Sequence, residues 1–288
     1  MIPAQLDTIV CKKLSEIHSC DVHIHADNAI GGGCINNALK LKTNVGTYFL
    51  KWNDAAQFPG MFHSEAKGLN LLRDSNSVYV PEVILADEAG GYSFLLLEYI
   101  DAGAMNNNYW ENFGSRLAEL HRVSATNFGL DHDNYIGSLK QGNHQHPTWK
   151  EFFINERIIP QLNLANLDSR LTGKFDNLFE KLDDIFPNEP PALLHGDLWS
   201  GNYMVSATGD PVIMDTAVYF GHREMDLAMS KLFGGFDSRF YISYNKAFQL
   251  EKGWEPRMDI CNLYPLLVHV NLFGGSYLAQ IESILRRF

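Results

Sequence analysis

Apolar residues in the first eighteen positions fall at Leu6, Ile9, Val10, Leu14 and Ile17, a spacing that places them on one face of a helix over residues 4–18. The pattern then shortens. Ala38–Leu41 and Tyr48–Trp52 read as strands of a hairpin with a polar turn at Thr43–Gly46, after a glycine run at Gly31–Gly33. Phe62, Ala66, Leu69 and Leu72 return to a helical stripe within 58–72. Val78–Leu85, interrupted by Pro81, and Tyr92–Ile100 give two further strands, and a glycine-containing crossover at Asp101–Asn108 follows. Beyond it the pattern is mainly helical: Tyr109–Val123, Trp149–Leu162, Leu167–Phe186, a segment from Gly221 to Phe233, Arg239–Leu250 and Met258–Arg286. The last should kink or divide, because it contains Pro265 and Gly274-Gly275. Asn127–Gly142 reads as a loop anchored by Phe128, Leu130 and Ile136, and Arg157 is expected to reach an acidic neighbour. Strands first and helices afterwards predict an α+β chain with a boundary at the crossover, giving an N-terminal unit over 1–100 and a mainly helical one over 101–288.

Composition narrows the function classes. The chain has 288 residues, 45% hydrophobic, enough for a large core near the length at which cores divide. Its formal charge of -11 argues against broad attraction to nucleic acid or anionic membrane. The opening MIPAQLDTIVCKKL does not read as a secretion signal, and no stretch approaches the ~18 apolar residues of a bilayer span. Cys11, Cys20, Cys34 and Cys261 are scattered without a CxxC pair, which fits a reducing cytoplasm better than a disulfide or zinc framework.

The candidate chemistry centres on Leu193–Asp215. An apolar run breaks at His195-Gly196-Asp197, Asn202 follows five residues after Asp197, and a second short apolar run delivers Asp215. Phosphoryl transfer from Mg-ATP asks for this inventory: one carboxylate to orient the attacking hydroxyl, an amide oxygen and a second carboxylate to hold the metal. Taken singly, each of these residues also suits an ordinary turn. The first hundred residues supply what a nucleotide site needs. Glycines at 31–33 let backbone amides approach phosphate oxygens. Lys51 ends a strand in the position where kinases keep the lysine that pairs with nucleotide phosphates. Glu65 lies beside the apolar stripe of the next helix, where a carboxylate is costly unless it finds a cation; Lys51 would provide it. Backbone groups around Glu98, Tyr99 and Ile100 could receive a nucleotide base. Glycine loop, strand lysine, helix glutamate and linker thus occur in the order of a protein-kinase-like small lobe.

Several other polar residues have two readings. His63 reads as an exposed helix residue, and His121-Arg122 as a positive C-terminal helix turn. Asp226 would cap backbone amides or brace the catalytic loop. Trp199 could border the acceptor or simply pack. Trp254, Arg257, His269 and Asn271 are candidates for lining an acceptor cleft; for His269 and Asn271 a satisfied core position fits equally well. Cys34 could act as an oxidisable thiol in the phosphate loop or be a quiet small residue.

The segments GGGCINNALKLKTNVGTYFLKWN, FHSEAKGLNLL, HGDLWSGNYM, PVIMDTAVYFGHREMDLAMSKLFGGF and PLLVHVNLFGGSYLAQ together resemble the fructosamine/ketosamine-3-kinase family. HGDxxxxN alone would indicate only the wider aminoglycoside- and choline-kinase-like group. The resemblance implies a bilobal protein-kinase-like fold with a small antiparallel-sheet N-lobe. It also implies ATP- and Mg2+-dependent phosphorylation of the 3-hydroxyl of a ketosamine, a sugar joined to an amine by glycation, after which the adduct falls off. Microbial relatives resemble ribulosamine and erythrulosamine kinases. By the same resemblance Asp197 matches the catalytic base, Asn202 and Asp215 the metal ligands, Lys51 the phosphate-binding lysine, Glu65 its helix partner and Gly31, Gly32 and Gly33 the phosphate loop. The expected partners are glycated proteins or small ketosamines, with no nucleic acid or membrane, and a monomer is expected ahead of a dimer. Thr216 departs from the family pattern, which often has proline beside the metal-binding acid. A kinase acting on an amino sugar or choline-like alcohol is the rival enzyme reading, and a non-catalytic nucleotide-binding scaffold the rival of another class.

Overall fold

The computed structural model describes residues 2–29 and 36–288, so the glycine run Gly31–Gly33 and Cys34 lie outside the described residues. Five antiparallel strands, β1 (Ile24–Ala29), β2 (Asn37–Thr43), β3 (Gly46–Asp54), β4 (Val83–Ala89) and β5 (Tyr92–Glu98), form one sheet in the order β1-β2-β3-β5-β4. Two-residue alternation divides its faces. Tyr48, Leu50 and Trp52 of β3, with Phe94 and Leu96 of β5, pack on Leu6, Val10 and Leu14 of α1 (Ala4–His18). Leu95 and Leu97 turn to the opposite face and join Phe62, Ala66, Leu69 and Leu72 of α2 (Met61–Asp74) in the main core. Lys51, between Leu50 and Trp52, is thereby delivered to the α2 side.

The strand expected over 78–85 starts later, at Val83. Pro81 has no N–H for a ladder, and the chain before it has other partners. Tyr79 makes a parallel bridge to Val212, and its carbonyl accepts from the Ile213 amide at 3.0 Å. The sheet is thus stitched to the second half before its last hairpin begins.

Residues from Tyr109 onward are mainly helical: α3 (Tyr109–Leu120), α4 (Trp149–Phe152), a π-helical turn (Phe153–Ile158), α5 (Ile159–Ala165), α6 (Ser169–Ile185), α7 (Glu224–Leu232), α8 (Ser238–Ala247), α9 (Trp254–Cys261), α10 (Leu263–Phe273) and α11 (Leu278–Leu285). Short strand pairs punctuate them: β6 (Asn134–Ile136) with β7 (Leu139–Gln141), β8 (Ala192–Leu194) with β11 (Tyr219–Gly221), and β9 (Tyr203–Val205) with β10 (Pro211–Ile213). The C-terminal helical stretch divides at Gly274, whose φ of 92° ends α10. Pro265 does not break it, because it sits in the first turn of α10, where backbone N–H groups have no intrahelical acceptor. Among the described residues no helix is long and apolar enough to cross a membrane.

Arg157 differs from expectation. It is fully buried, and its guanidinium donates to Gly142 O and Asn143 Oδ1, each at 2.7 Å, rather than to a carboxylate. Its flat face lies 3.9 Å from the Tyr219 ring centre and 4.5 Å from that of Phe152. Carbonyl acceptors and π faces replace the acidic partner.

Helices α3 and α8 approach so closely that a Cβ on Gly114 would lie 2.2 Å from Phe240 O. Beside that contact, fully buried Phe113 meets Trp110, Tyr203, Phe236 and Phe240 at centroid distances of 5.2 to 6.4 Å. Truncation there leaves a cavity that rigid neighbours cannot fill. Phe113→Ala is expected to lower unfolding free energy by about 3–5 kcal/mol in urea titrations.

Candidate active site

The two short ladders β8–β11 and β9–β10 bring the loop after Leu194 beside the loop after Ile213. Backbone bonds weld them together: Ala217 N–H donates to His195 O at 2.9 Å, and Met214 N–H to Asn202 O at 3.0 Å. Gly196 has a φ of 84°, and a Cβ there would lie 2.0 Å from Ala217 O, so a side chain is excluded on both counts. His195 crosses the seam with its ring. Asp197 N–H donates to Nδ1 at 3.2 Å, and Nε2 lies 2.9 Å from Met214 O. Burial holds this histidine below its usual pKa, and the neutral tautomer protonated on Nε2 satisfies both bonds.

Asp226, in the first turn of α7, braces the same loop, as one of its two sequence readings proposed. Its carboxylate accepts from His195 N–H at 2.7 Å and Gly196 N–H at 2.9 Å. His121 Nε2 lies 3.2 Å from Asp226, and its Nδ1 is 2.8 Å from Tyr244 OH. His121 does stand at the C-terminus of α3, but buried as a brace rather than as an exposed charge. Burial would raise the Asp226 pKa; His121, His195 and the Gly196 amide outweigh it and hold the carboxylate below its usual range.

Lys51, Glu65 and Asp215 converge from β3, α2 and the loop after β10. The Lys51 ammonium is 2.7 Å from Glu65 Oε1 and 2.7 Å from Asp215 Oδ1. Lys51 is 6% exposed, whereas the Asp215 side chain is 45% exposed, so the cluster opens on its Asp215 side. Burial alone would lower the Lys51 pKa, but the two carboxylates raise it. Burial raises Glu65 more than Lys51 lowers it, while at Asp215 Lys51 overcomes burial and holds the acid low. Asp215 also has a φ of 56°, a left-handed conformation that aspartate tolerates better than most residues.

Asp197 lies next to this cluster. Asn202 donates through Nδ2 to Asp197 O and Oδ2, both at 2.8 Å, and to Asp215 O at 3.2 Å. Burial pushes the Asp197 carboxyl up to about 7, with Asn202 pulling down and Asp215 and Asp226 adding to the rise. Because Asn202 spends its amide nitrogen on the loops, its carbonyl oxygen is the end left for a ligand. That oxygen and the Asp215 carboxylate form a hard, all-oxygen pair. Such a pair fits Mg2+, which takes one or two protein oxygens and completes its shell with phosphate and water. Among the described residues no group of three His, Cys, Asp or Glu could hold a metal by itself.

At the linker, Glu98 N–H donates to Glu82 O at 2.9 Å, and the Glu98 carboxylate accepts from Tyr79 OH at 2.7 Å and Glu82 N–H at 3.1 Å. Tyr99 lies beneath Lys40 Nζ at 3.7 Å, and Ile100 is half-buried. A pocket next to Asp197 is lined by Ile136, Gly196, Met225, Met229, Tyr264, Pro265, Val268 and His269. His269 lines this pocket while its Nδ1 lies 2.7 Å from Pro265 O, so it is both pocket-facing and partnered; Phe233, 4.7 Å from it, leads outward to Trp199 at 6.1 Å. The other candidates are placed elsewhere. Arg257 is committed to Glu224 through two bonds of 2.8 and 2.5 Å, Trp254 stacks under Lys231, and Asn271 donates to Gln161. His63 is exposed.

Sequence reasoning overlooked Gly68. A Cβ there would lie 3.1 Å from Val218 and 3.4 Å from Thr216 Oγ1, so glycine lets α2 sit directly on the Asp215 loop. Its interruption of an otherwise good helical stripe was the available signal. Thr216 is accommodated with its hydroxyl buried and unpartnered.

A five-stranded sheet set against a helical body, with a lysine–carboxylate cluster joining β3, α2 and the loop after β10, defines a phosphotransferase of the protein-kinase-like class. The chain matches the fructosamine kinase family over residues 6–288 and belongs to it. It is 38% identical to a probable ketoamine kinase of Synechocystis, over 99% of this chain and 97% of the relative. It is 39% identical to the chloroplastic protein-ribulosamine 3-kinase of Arabidopsis thaliana, over 89% of this chain and 80% of the relative. A crystal structure of a putative fructosamine-3-kinase from Thermobifida fusca superposes with a TM-score of 0.86 at 33% identity, covering 96% of this chain and 97% of that one. The fold alone extends to an aminoglycoside phosphotransferase crystallised with AMP-PNP and hygromycin B, at 14% identity and a TM-score of 0.62, covering 97% and 98% of the two chains.

Because the folded protein holds the Asp197 proton more tightly than the unfolded chain, ionisation of Asp197 opposes folding increasingly as pH rises from its usual value towards 7. In metal-free protein, Asp197→Asn should therefore match wild type near pH 4 and exceed it at pH 8 by up to about 4 kcal/mol. Denaturant melts at both pH values measure the widening gap.

Proposed function

We propose that this protein transfers the γ-phosphoryl group of ATP to the 3-hydroxyl of ketosamines, protein-bound or small, and so promotes their deglycation. The reading rests on one observation above others: Lys51 lies 2.7 Å from both Glu65 and Asp215, with Asp197 on the adjoining loop. Asp197 aligns the acceptor hydroxyl and takes its proton, for which a carboxyl raised to about 7 is well matched near neutral pH. Lys51, oriented by Glu65, contacts the phosphates together with backbone amides of Gly31–Gly33. Asn202 and Asp215 are the residues that would hold Mg2+, which would supply positive charge against the phosphates. Backbone groups around Glu98, Tyr99 and Ile100 receive the base. Residues 1–100 act as the nucleotide lobe and 101–288 as the catalytic and acceptor lobe. Ribulosamine and erythrulosamine adducts are the favoured acceptors, in keeping with the name of the Arabidopsis relative. The acceptor enters along Trp199 and Phe233 towards His269. The protein works as a cytoplasmic monomer with no nucleic-acid or membrane partner; the acidic surface of net charge -11 is in keeping with this.

A panel of ribulosamine, erythrulosamine, fructosamine, aminoglycoside and choline acceptors tests the reading through ATP-dependent phosphate incorporation. Ketosamines should be phosphorylated and the adduct then lost. Turnover of a free alcohol with no gain on any ketosamine would transfer the protein to the rival kinase class. Asp197→Asn is expected to reduce kcat by about 10²–10⁴-fold with binding of an ATP analogue retained; equal activity in that variant would remove Asp197 from its role.

A further inference from the structure

A buried chain of hydrogen bonds runs from the wall of the acceptor pocket to the loop carrying Asp215, and the reaction described above makes no use of it. Tyr264 of α10 lines the pocket beside Asp197 and donates its hydroxyl to Gln141 Oε1 at 2.6 Å. The Gln141 amide then donates to Asn134 Oδ1 at 2.7 Å and to Ala217 O at 3.1 Å. Asn134 in turn donates to Val218 O at 2.8 Å. Gln141 is 2% exposed, and both amide hydrogens and its oxygen are committed, so it cannot rotate without breaking bonds that no water can replace. The far end is anchored. Asn143 donates to Asn134 Oδ1 at 3.1 Å and accepts from fully buried Arg157 at 2.7 Å.

Ala217 O is the sensitive point of this chain. It is the atom that a Cβ on Gly196 would strike, and the Ala217 amide is bonded to His195 O. A force on the Tyr264 ring is therefore transmitted through one rigid amide to the seam between the Asp197 loop and the Asp215 loop. Simple adhesion of the β6–β7 hairpin would need only the Asn134 bond to Val218 O; the additional bond from Gln141 out to a pocket-lining hydroxyl is what distinguishes a lever from glue.

We propose that Gln141 is a positioning residue that couples filling of the acceptor pocket to the seating of the Asp215 loop, so that acceptor and metal–nucleotide favour each other's binding. The inference rests on the phosphotransfer reading. It belongs to the class of couplings in which two ligands bias one element, and reciprocity requires each to tighten the other equally.

The test uses full-length protein, a 3-deoxy ketosamine of a simple alkylamine as unreactive acceptor, and a non-hydrolysable ATP analogue with Mg2+. In wild type the acceptor should tighten nucleotide binding by about tenfold in calorimetry; in Gln141→Leu, which removes no pocket-lining group, each ligand alone binds within about twofold of wild type and the tightening disappears, and in Tyr264→Phe the tightening disappears whatever the change in acceptor binding alone. Tyr264→Phe removes a single oxygen, and so keeps the test readable should Gln141→Leu fold poorly. Retention of the tightening in Tyr264→Phe overturns the proposal, as does its absence from a wild-type enzyme that phosphorylates ketosamines. If wild type binds and phosphorylates no ketosamine, the failure lies with the assigned reaction. Hydrogen exchange of residues 214–219 in ligand-free protein then decides the lever alone: faster exchange in Tyr264→Phe supports it and an unchanged rate defeats it.

Discussion

The Lys51 ammonium, held between Glu65 and Asp215, is the interaction on which the arrangement of the molecule depends. Its two partners lie 14 and 164 residues away in sequence, on a helix and on a loop of the second half. One cation therefore fixes the sheet, α2 and the Asp215 loop against each other. The cost of burying it is large, and the geometry shows how that cost is met: two short charge-assisted bonds, one of them to an acid whose side chain is 45% exposed. Removing either acid would leave the lysine with one partner in a desolvated place. Removing the lysine would leave two carboxylates facing each other.

Around that cluster the structure favours backbone rigidity over side-chain packing. Asp226 holds two successive amides of the His195–Gly196 turn, neutral His195 ties that turn to Met214, and Gly68 lets α2 press on Thr216 and Val218. Each device fixes main chain, and the side chains of Asp197, Asn202 and Asp215 inherit their positions from it. Transfer between two bound groups gains most from such fixed geometry, because orientation has been settled before the reactants meet. The positive φ of Asp215 fits the same logic: local strain is retained where surrounding bonds over-determine the backbone.

The sequence made legible those features that are local or that violate a local rule. Alternation in β3 predicts which side Lys51 takes, and a carboxylate beside the apolar stripe of α2 demands a cation, so the pair could be anticipated. Asp226 was readable as a brace because it opens a helix of otherwise buried residues. The unread features share a different cause. Arg157 was assigned an acidic neighbour, but carbonyls and ring faces satisfy a planar guanidinium equally well, and only the tertiary fold decides between them. Arg257 and Trp254 are polar or amphipathic residues in a helix, whose period says that one face is buried without saying against what, while Asn271, bonded to Gln161, takes the satisfied position that was one of its two readings. Asn134 and Gln141 fall in the stretch read as a loop, since an amide that will be fully bonded in the core looks no different in sequence from one that will meet water.

The electrostatics of the cleft give the acidic composition a specific meaning. A net charge of -11 is screened over about 8 Å at physiological ionic strength, so its influence on a ligand inside the cleft is small. What a ligand meets is local: Lys51 already shared by two acids, Asp197 beside them, and Asp226 behind the turn with its charge spent on amides and His121. Burial is the main cause of the rise of Asp197 to about 7, and the neighbouring Asp215 and Asp226 charges add to it, so a further negative charge beside them would raise it more. A bare polyphosphate would deepen that imbalance, whereas one carrying a divalent cation brings compensation to Asp215 and to the oxygen of Asn202. The same compensation would lower the proton affinity of Asp197, so that more of it is ionised at neutral pH. On the proposed reading, the shortage of positive charge would favour the metal-bearing form of the nucleotide, whose arrival would leave more of Asp197 ionised.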